Sequence, residues 1–169
     1  MKTKLNKTIT VSLALAGLLA ATTTGSAITS AKATTIMSTA SAQIGKKYVW
    51  GAASPKTGFD CSGLTIYSYG KAGIIIPRVS KDQYNACNIC VTTKTKAALL
   101  FFATDSTKPG VVTHVTLSSG DGKNSIGANG YPIFDKTGKL IGNRGSVQNF
   151  NFVSQTWAKL LTCAISSKW

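Results

Sequence analysis

The spacing of apolar residues divides the chain into a helical first half and a strand-rich second half. Over residues 35–44, Ile36, Met37, Ala40 and Ile44 fall near one helical face, and Gly45 ends the run. Residues 46–59 are rich in Gly, Ala, Ser and Pro, with Tyr48, Trp50 and Phe59 as their large rings, and read as a loop. Helical spacing resumes at Cys61 and carries Leu64, Ile66, Tyr67 and Tyr69 to Gly73. Ser80 is placed to cap a further short helix, with Asp82 in its first turn. Beyond Cys90 the texture changes. Ala98–Ala103 is a continuous apolar run suited to a buried strand, and Val111–Ser119, Asn124–Ala128 and Leu160–Ser166 read as three more. Helices followed by a run of short strands predict an α+β domain with an antiparallel sheet.

The first residues follow a different logic. Lys2, Lys4 and Lys7 precede an almost unbroken apolar stretch from Ile9 to Ala21, followed by small residues at Gly25-Ser26-Ala27 and Ala31-Lys32-Ala33. That order is the layout of a secretory signal, and the apolar run is shorter than the ~20 residues that cross a bilayer. With Ala33 as the working boundary, residues 1–33 form the signal and 34–169 one domain of common size, large enough for a single core. No stable membrane association is expected once the signal is removed. No linker or internal repeat divides the remainder, which reads as a monomer.

Charge and cysteines then narrow the class. Setting aside Lys2, Lys4, Lys7 and Lys32 leaves 15 basic residues against five aspartates, a net charge of +10. The basic residues are scattered, without the stripe and interleaved aromatics of a nucleic-acid binder. For an exported protein such charge predicts attraction to anionic wall polymers. Cys61, Cys87, Cys90 and Cys163 would allow two disulfides in an oxidising compartment. If Cys61 is a nucleophile, one of the other three stays unpaired, and the Cys87–Cys90 spacing permits either a local bridge or two metal ligands. With one histidine in the chain, a zinc site lacks donors, so no metal or other cofactor is expected.

The chemistry concentrates at Asp60-Cys61-Ser62-Gly63, where loop meets helix. A thiol at a helix N-terminus faces unpaired N–H groups and the positive end of the helix dipole, which favour thiolate and can hold an oxyanion. A buried structural cysteine is the common alternative. His114, the chain's single histidine, lies in an apolar strand on the same face as Val112 and Thr116. Such a position usually holds a core histidine, yet a thiol enzyme needs one imidazole and this chain has one.

These residues carry a family resemblance. Ile44-Gly45-Lys46-Lys47-Tyr48-Val49-Trp50-Gly51, Phe59-Asp60-Cys61-Ser62-Gly63-Leu64, Ile76-Pro77-Arg78-Val79-Ser80, Leu99-Leu100-Phe101-Phe102 and His114-Val115, in this order, resemble the signature of the NlpC-type cell-wall cysteine peptidases. The likeness reaches from residue 36 to the final strand, which Trp157 precedes. It implies a papain-like α+β fold, N-terminal helices on an antiparallel sheet, with Cys61 as nucleophile and His114 as base. It implies hydrolysis of peptidoglycan stem peptides, typically after γ-linked D-glutamate, by a secreted, wall-associated enzyme. By the same resemblance Tyr48 lines the site, Asp60 braces the turn, and Trp50, Ser62 and Arg78 occupy substrate-facing positions. The alternatives are loop packing for Tyr48, a helix cap for Asp60, and a purely structural place for Trp50 and Arg78.

A third polar residue should hold the histidine from the neighbouring strand. Family spacing points near Gly127, and Asn129 lies two residues further on the same face; Asn129 is the nominee, with an ordinary turn asparagine before Gly130 as the alternative. Residues 130–151 read as an added hairpin and loop. A second functional reading, a catalytically degraded basic wall-binding protein on the same fold, follows if nothing fills that third position.

Overall fold

A computed structural model describes residues 28–87, 89–155 and 158–164 of the chain. The expected signal lies outside the described residues except for its last few positions, and Trp157 lies outside them too. Three helices, α1 (Ser30–Ser41), α2 (Cys61–Lys71) and α3 (Ser80–Asn85), precede most of the sheet. A two-stranded ribbon, β1 (Ala53–Ser54) and β2 (Gly58–Phe59), sits within the stretch expected to be pure loop. The main sheet comprises β3 (Ile89–Cys90), β4 (Leu99–Ala103), β5 (His114–Ser118), β6 (Asn124–Phe134), β7 (Leu140–Asn151) and β8 (Ala158–Ala164). Its order is β3-β8-β4-β5-β6-β7 with every pair antiparallel, the α+β architecture expected.

The core explains the apolar runs. One side of the sheet packs Phe101, Val115, Leu117 and Ile126 against Ile36 and Met37 of α1 and Leu64 and Tyr69 of α2. On the other side Leu100 and Phe102 pack with Phe152. All five residues of β4 are therefore buried, which is why no alternation is visible there. The Tyr69 hydroxyl donates to the Ala97 carbonyl at 2.8 Å, so a buried phenol is satisfied where the chain enters the sheet.

Several boundaries differ from expectation for identifiable reasons. α1 begins at Ser30, ahead of Ala33, because Thr29 caps it by accepting from the Lys32 N–H and Ile28 packs against the core. Ser80 is the first residue of α3 and no cap; Val79 holds the cap position without a side-chain bond. The His114 strand starts at His114 itself, where the β4–β5 register ends at Phe102; Thr113 still donates to the Phe102 carbonyl at 3.0 Å, but residues 111–113 lie outside the ladder. β6 runs to Phe134, six residues past the expected end, because β7 folds back along its whole length. Pro132 is tolerated there, on a stretch of β6 that pairs with β7 alone. No helix among the described residues is long and apolar enough to cross a membrane.

Candidate active site

The site is assembled where the head of α2 meets β5. Asp60 is the N-cap of α2: its Oδ1 accepts from the Gly63 N–H at 2.6 Å, and its Oδ2 accepts from the Gly51 N–H at 2.9 Å. Arg78 closes a two-pronged ion pair on the same carboxylate at 2.7 and 3.0 Å and also donates to the Ser62 hydroxyl at 3.0 Å. Asp60 thus both caps the helix and ties it to the loop carrying Trp50. Gly63 is required by close approach, because a Cβ there would run into the Ala52 carbonyl oxygen and the Asp60 carboxylate. Beneath this corner, fully buried Gln83 donates to the Pro77 carbonyl at 2.8 Å and accepts from Thr65 at 2.9 Å. Asp82-Gln83-Tyr84 belongs to the stretch that resembles the family, but no role for Gln83 followed from sequence, since its partners are distant along the chain.

Cys61 is the first residue of α2 and only 8% exposed. Its sulfur feels the N–H groups of Val115 and Ser62, so it lies against the start of β5. The expected depression of its pKa does not occur. Burial, reinforced by the Asp60 charge, pushes the thiol up to about 11 against the opposing pull of the two N–H groups and Arg78. His114, equally buried, moves the other way: burial brings the imidazole down to about 4, with the Asn129 bond pulling slightly back. The resting pair is therefore thiol and neutral imidazole.

Asn129 reaches the histidine. Its Oδ1 lies 2.8 Å from His114 Nε2, so that nitrogen donates and the proton sits there in the neutral ring. Register accounts for the choice between the two sequence candidates. Leu117 pairs with Ile126 and Ser118 with Ser125, and continuing that ladder sets residue 114 opposite 129 and residue 116 opposite 127. Gly127 abuts Thr116 instead: a Cβ on it would meet the Thr116 methyl at 2.7 Å.

The remaining named residues fall on two sides of this pair. Trp50, Asp60, Ser62 and Arg78 line one cavity of about 290 Å³ together with Cys61. His114 and Asn129 open instead into a second cavity of about 400 Å³, bounded by Thr104, Tyr131 and Arg144. Tyr48 lines neither. It is buried against the backbone of Gly130, where its hydroxyl is held protonated by burial first and by the fields of Cys61 and Asp60 next. The loop bearing Tyr48 and Trp50 is stitched to β7: the Tyr48 N–H donates to the Gly145 carbonyl, and the Trp50 N–H to Asn143 Oδ1, both at 2.9 Å. Asn143, Tyr131 and Arg144 were missed from sequence because only the hairpin register brings them here. Cys61 is a free thiol and Cys87 is disulfide-bonded, so the local metal pair open from sequence is not available at Cys87. Among the described residues no cluster of His, Cys, Asp or Glu is arranged to hold a metal ion.

The model of the NlpC/P60 family matches residues 45–164. The bifunctional muramidase/DL-endopeptidase CwlT of Bacillus subtilis is 37% identical over 89 residues, covering 53% of this chain and 27% of that protein. The murein DD-endopeptidase MepH of Escherichia coli is 40% identical over 85 residues, covering 48% of this chain and 31% of that protein. The chain thus matches about a quarter to a third of the length of these curated relatives. Among solved structures, NlpC2 from Trichomonas vaginalis superposes with a TM-score of 0.64 at 26% identity, over 79% of this chain and 47% of that one.

Proposed function

The chain belongs to the NlpC/P60 family, and from that premise we propose that it is a cysteine endopeptidase of peptidoglycan stem peptides. The observation that carries the reading is the His114–Asn129 bond at 2.8 Å, which holds the single imidazole by Nε2; the proton exchange with Cys61 that the reading requires falls to the other ring nitrogen, Nδ1. In this reading His114 takes the thiol proton as the sulfur attacks the scissile carbonyl. N–H groups at the head of α2 hold the oxyanion. The imidazolium then protonates the departing amine, and water, deprotonated by the same imidazole, releases the acyl group from the thioester. Because thiol and imidazole are both neutral at rest, the proton moves during attack and no ion pair is stored beforehand. The step needs neither metal nor organic cofactor.

The bond we favour joins D-γ-glutamate to the diamino acid. Tyr48 acts by positioning, through its packing on Gly130 beside Asn129, while Trp50, Ser62 and the Asp60–Arg78 pair shape the acyl side of the cleft. Export by the N-terminal signal and salt-sensitive attachment to anionic wall polymers complete the reading, for a protein acting as a monomer. We place the export cut after Ala27, because a cut after Ala33 would remove Ile28, the Thr29 cap and the first turn of α1. Intact mass of the exported protein tests this; a chain beginning at Thr34 would contradict it.

Mass spectrometry of muropeptides incubated with the protein and with Cys61→Ala tests the activity. New termini at D-glutamate and the diamino acid, absent with the variant, support the reading. Products cut between two D-residues would replace the bond. Unchanged muropeptides with well-folded protein would favour the wall-binding alternative.

A further inference from the structure

β6 and β7 continue past the rest of the sheet, pairing with each other as far as Phe134 and Leu140. Strand alternation puts Asn129, Tyr131 and Ile133 on one face. The contact of Asn129 with His114 identifies that face as the one turned to the cleft. Tyr131 is directly opposite Arg144 in the ladder, and opposed residues of an antiparallel pair project to the same side. Both accordingly line the cavity of about 400 Å³ into which His114 opens.

The cleft's two guanidinium groups differ in one respect. Arg78 is committed to Asp60, bonded to both carboxylate oxygens. Arg144 is exposed, has no ion-pair partner among the described residues, and shares its cavity with no acidic side chain. An uncompensated guanidinium presents a planar fork of donors that matches a carboxylate.

Chemistry decides which part of a substrate meets it. The departing amine takes its proton from His114, so the residue bearing that amine lies on the His114 side of the sulfur. The acyl portion, bonded to Cys61, lies toward the cavity of Trp50 and Arg78. Resting on the peptidase reading above, we propose that Arg144, flanked by Tyr131, forms a carboxylate-reading subsite on the amine side of the scissile bond. It selects stem peptides whose leaving residue carries a free carboxylate over those in which that group is amidated.

Two synthetic peptides test this: γ-D-glutamyl-diaminopimelyl-D-alanine amide, whose only free carboxylate on the leaving residue is the side-arm one, and the same peptide with that carboxylate amidated. The protein should prefer the free acid by about tenfold or more in kcat/KM, the scale of one charge-assisted bond. Arg144→Gln should bring the ratio toward one, whereas Lys139→Gln, which removes an equal charge at the far end of the hairpin, should preserve it. No preference in the unaltered protein, or an undiminished one in Arg144→Gln, overturns the subsite. If neither peptide is cleaved, the D-γ-glutamyl bond assigned above is not the one this protein cuts, and the subsite is judged by equilibrium binding to the Cys61→Ala protein. Tighter binding of the free acid, abolished by adding Arg144→Gln, sustains it; equal affinities overturn it.

Discussion

Acid should unfold this protein through one side chain. His114 is the only histidine, so between pH 6.5 and 4 it is the main group whose protonation differs between folded and unfolded chains. Burial lowers its pKa from the ordinary 6.5 to about 4. The unfolded chain therefore binds a proton that the folded protein refuses. The stabilising effect of the neutral ring is complete above pH 6.5, declines as the pH falls, and is lost by about pH 4. At about 1.4 kcal/mol per pH unit the whole window is worth about 3 kcal/mol. The ring is 8% exposed, so solvent screening takes little from that figure. Cys61, pushed up to about 11, stays neutral throughout and contributes nothing to the slope. Asp105, Asp121 and Asp135, held below the ordinary carboxylate range by hydrogen bonds from their own turns, act at lower pH. Urea titrations at pH 7.5 and 4.5, at fixed ionic strength, should show the midpoint falling by about 1–2 M with an unchanged slope. His114→Gln, whatever its absolute stability, should lose far less over the same interval. Equal losses in both proteins would refute the reasoning and move the acid sensitivity elsewhere.

Three substitutions probe the rest of the corner. Arg78→Met should destabilise by about 2 kcal/mol, the ~3–5 of a broken buried pair discounted because the Arg78 side chain is 38% exposed. It should also slow iodoacetamide alkylation of Cys61, since the guanidinium's field no longer lowers the thiol pKa; faster alkylation would contradict that sign. Asn129→Ala should reduce kcat/KM for muropeptides by about a hundredfold with KM little changed, read by steady-state kinetics, as the imidazole loses its orienting bond. Gly130→Ala should destabilise by at least about 1–3 kcal/mol in thermal unfolding, because the new Cβ would run into the Arg144 carbonyl oxygen across the β6–β7 ladder as well as into Tyr48; an unperturbed melting temperature would show that the hairpin backbone and Tyr48 both yield freely.

What was legible in the chain depended on how locally it was determined. The head of α2 is written in four consecutive residues, Asp60 to Gly63, each with a local reason to be there, so its position and cap could be read directly. The direction of the Cys61 pKa could not. It depends on how deeply β5 covers the sulfur, and the N–H groups of a helix terminus are outweighed once water is gone. Asn129 was nominated by counting along a strand, but the reason it faces His114 while Gly127 faces Thr116 lies in the β5–β6 register, set by the Leu117–Ile126 and Ser118–Ser125 pairs. Arg144 and Asn143 were out of reach, because their place at the cleft follows from the turn that returns β7 along β6. The start of α1 was hidden for another reason: its cap, Thr29, stands among the small residues that also suit the end of an export signal.

The stitches between β7 and the loop at residues 45–50 divide the hairpin into two parts with separate fates. The base, where Gly45 and Tyr48 donate to the Val147 and Gly145 carbonyls, is clamped to the body of the protein and carries Asn129 within the clamp. The tip, from Tyr131 round to Arg144, projects beyond it and is held by the Asn143 bond to Trp50. Changes of length or composition in the tip can thus alter what the cleft admits while the imidazole keeps its anchor. Selectivity and reactivity become separately heritable traits, and a library confined to residues 131–144 is the natural place to evolve one without losing the other.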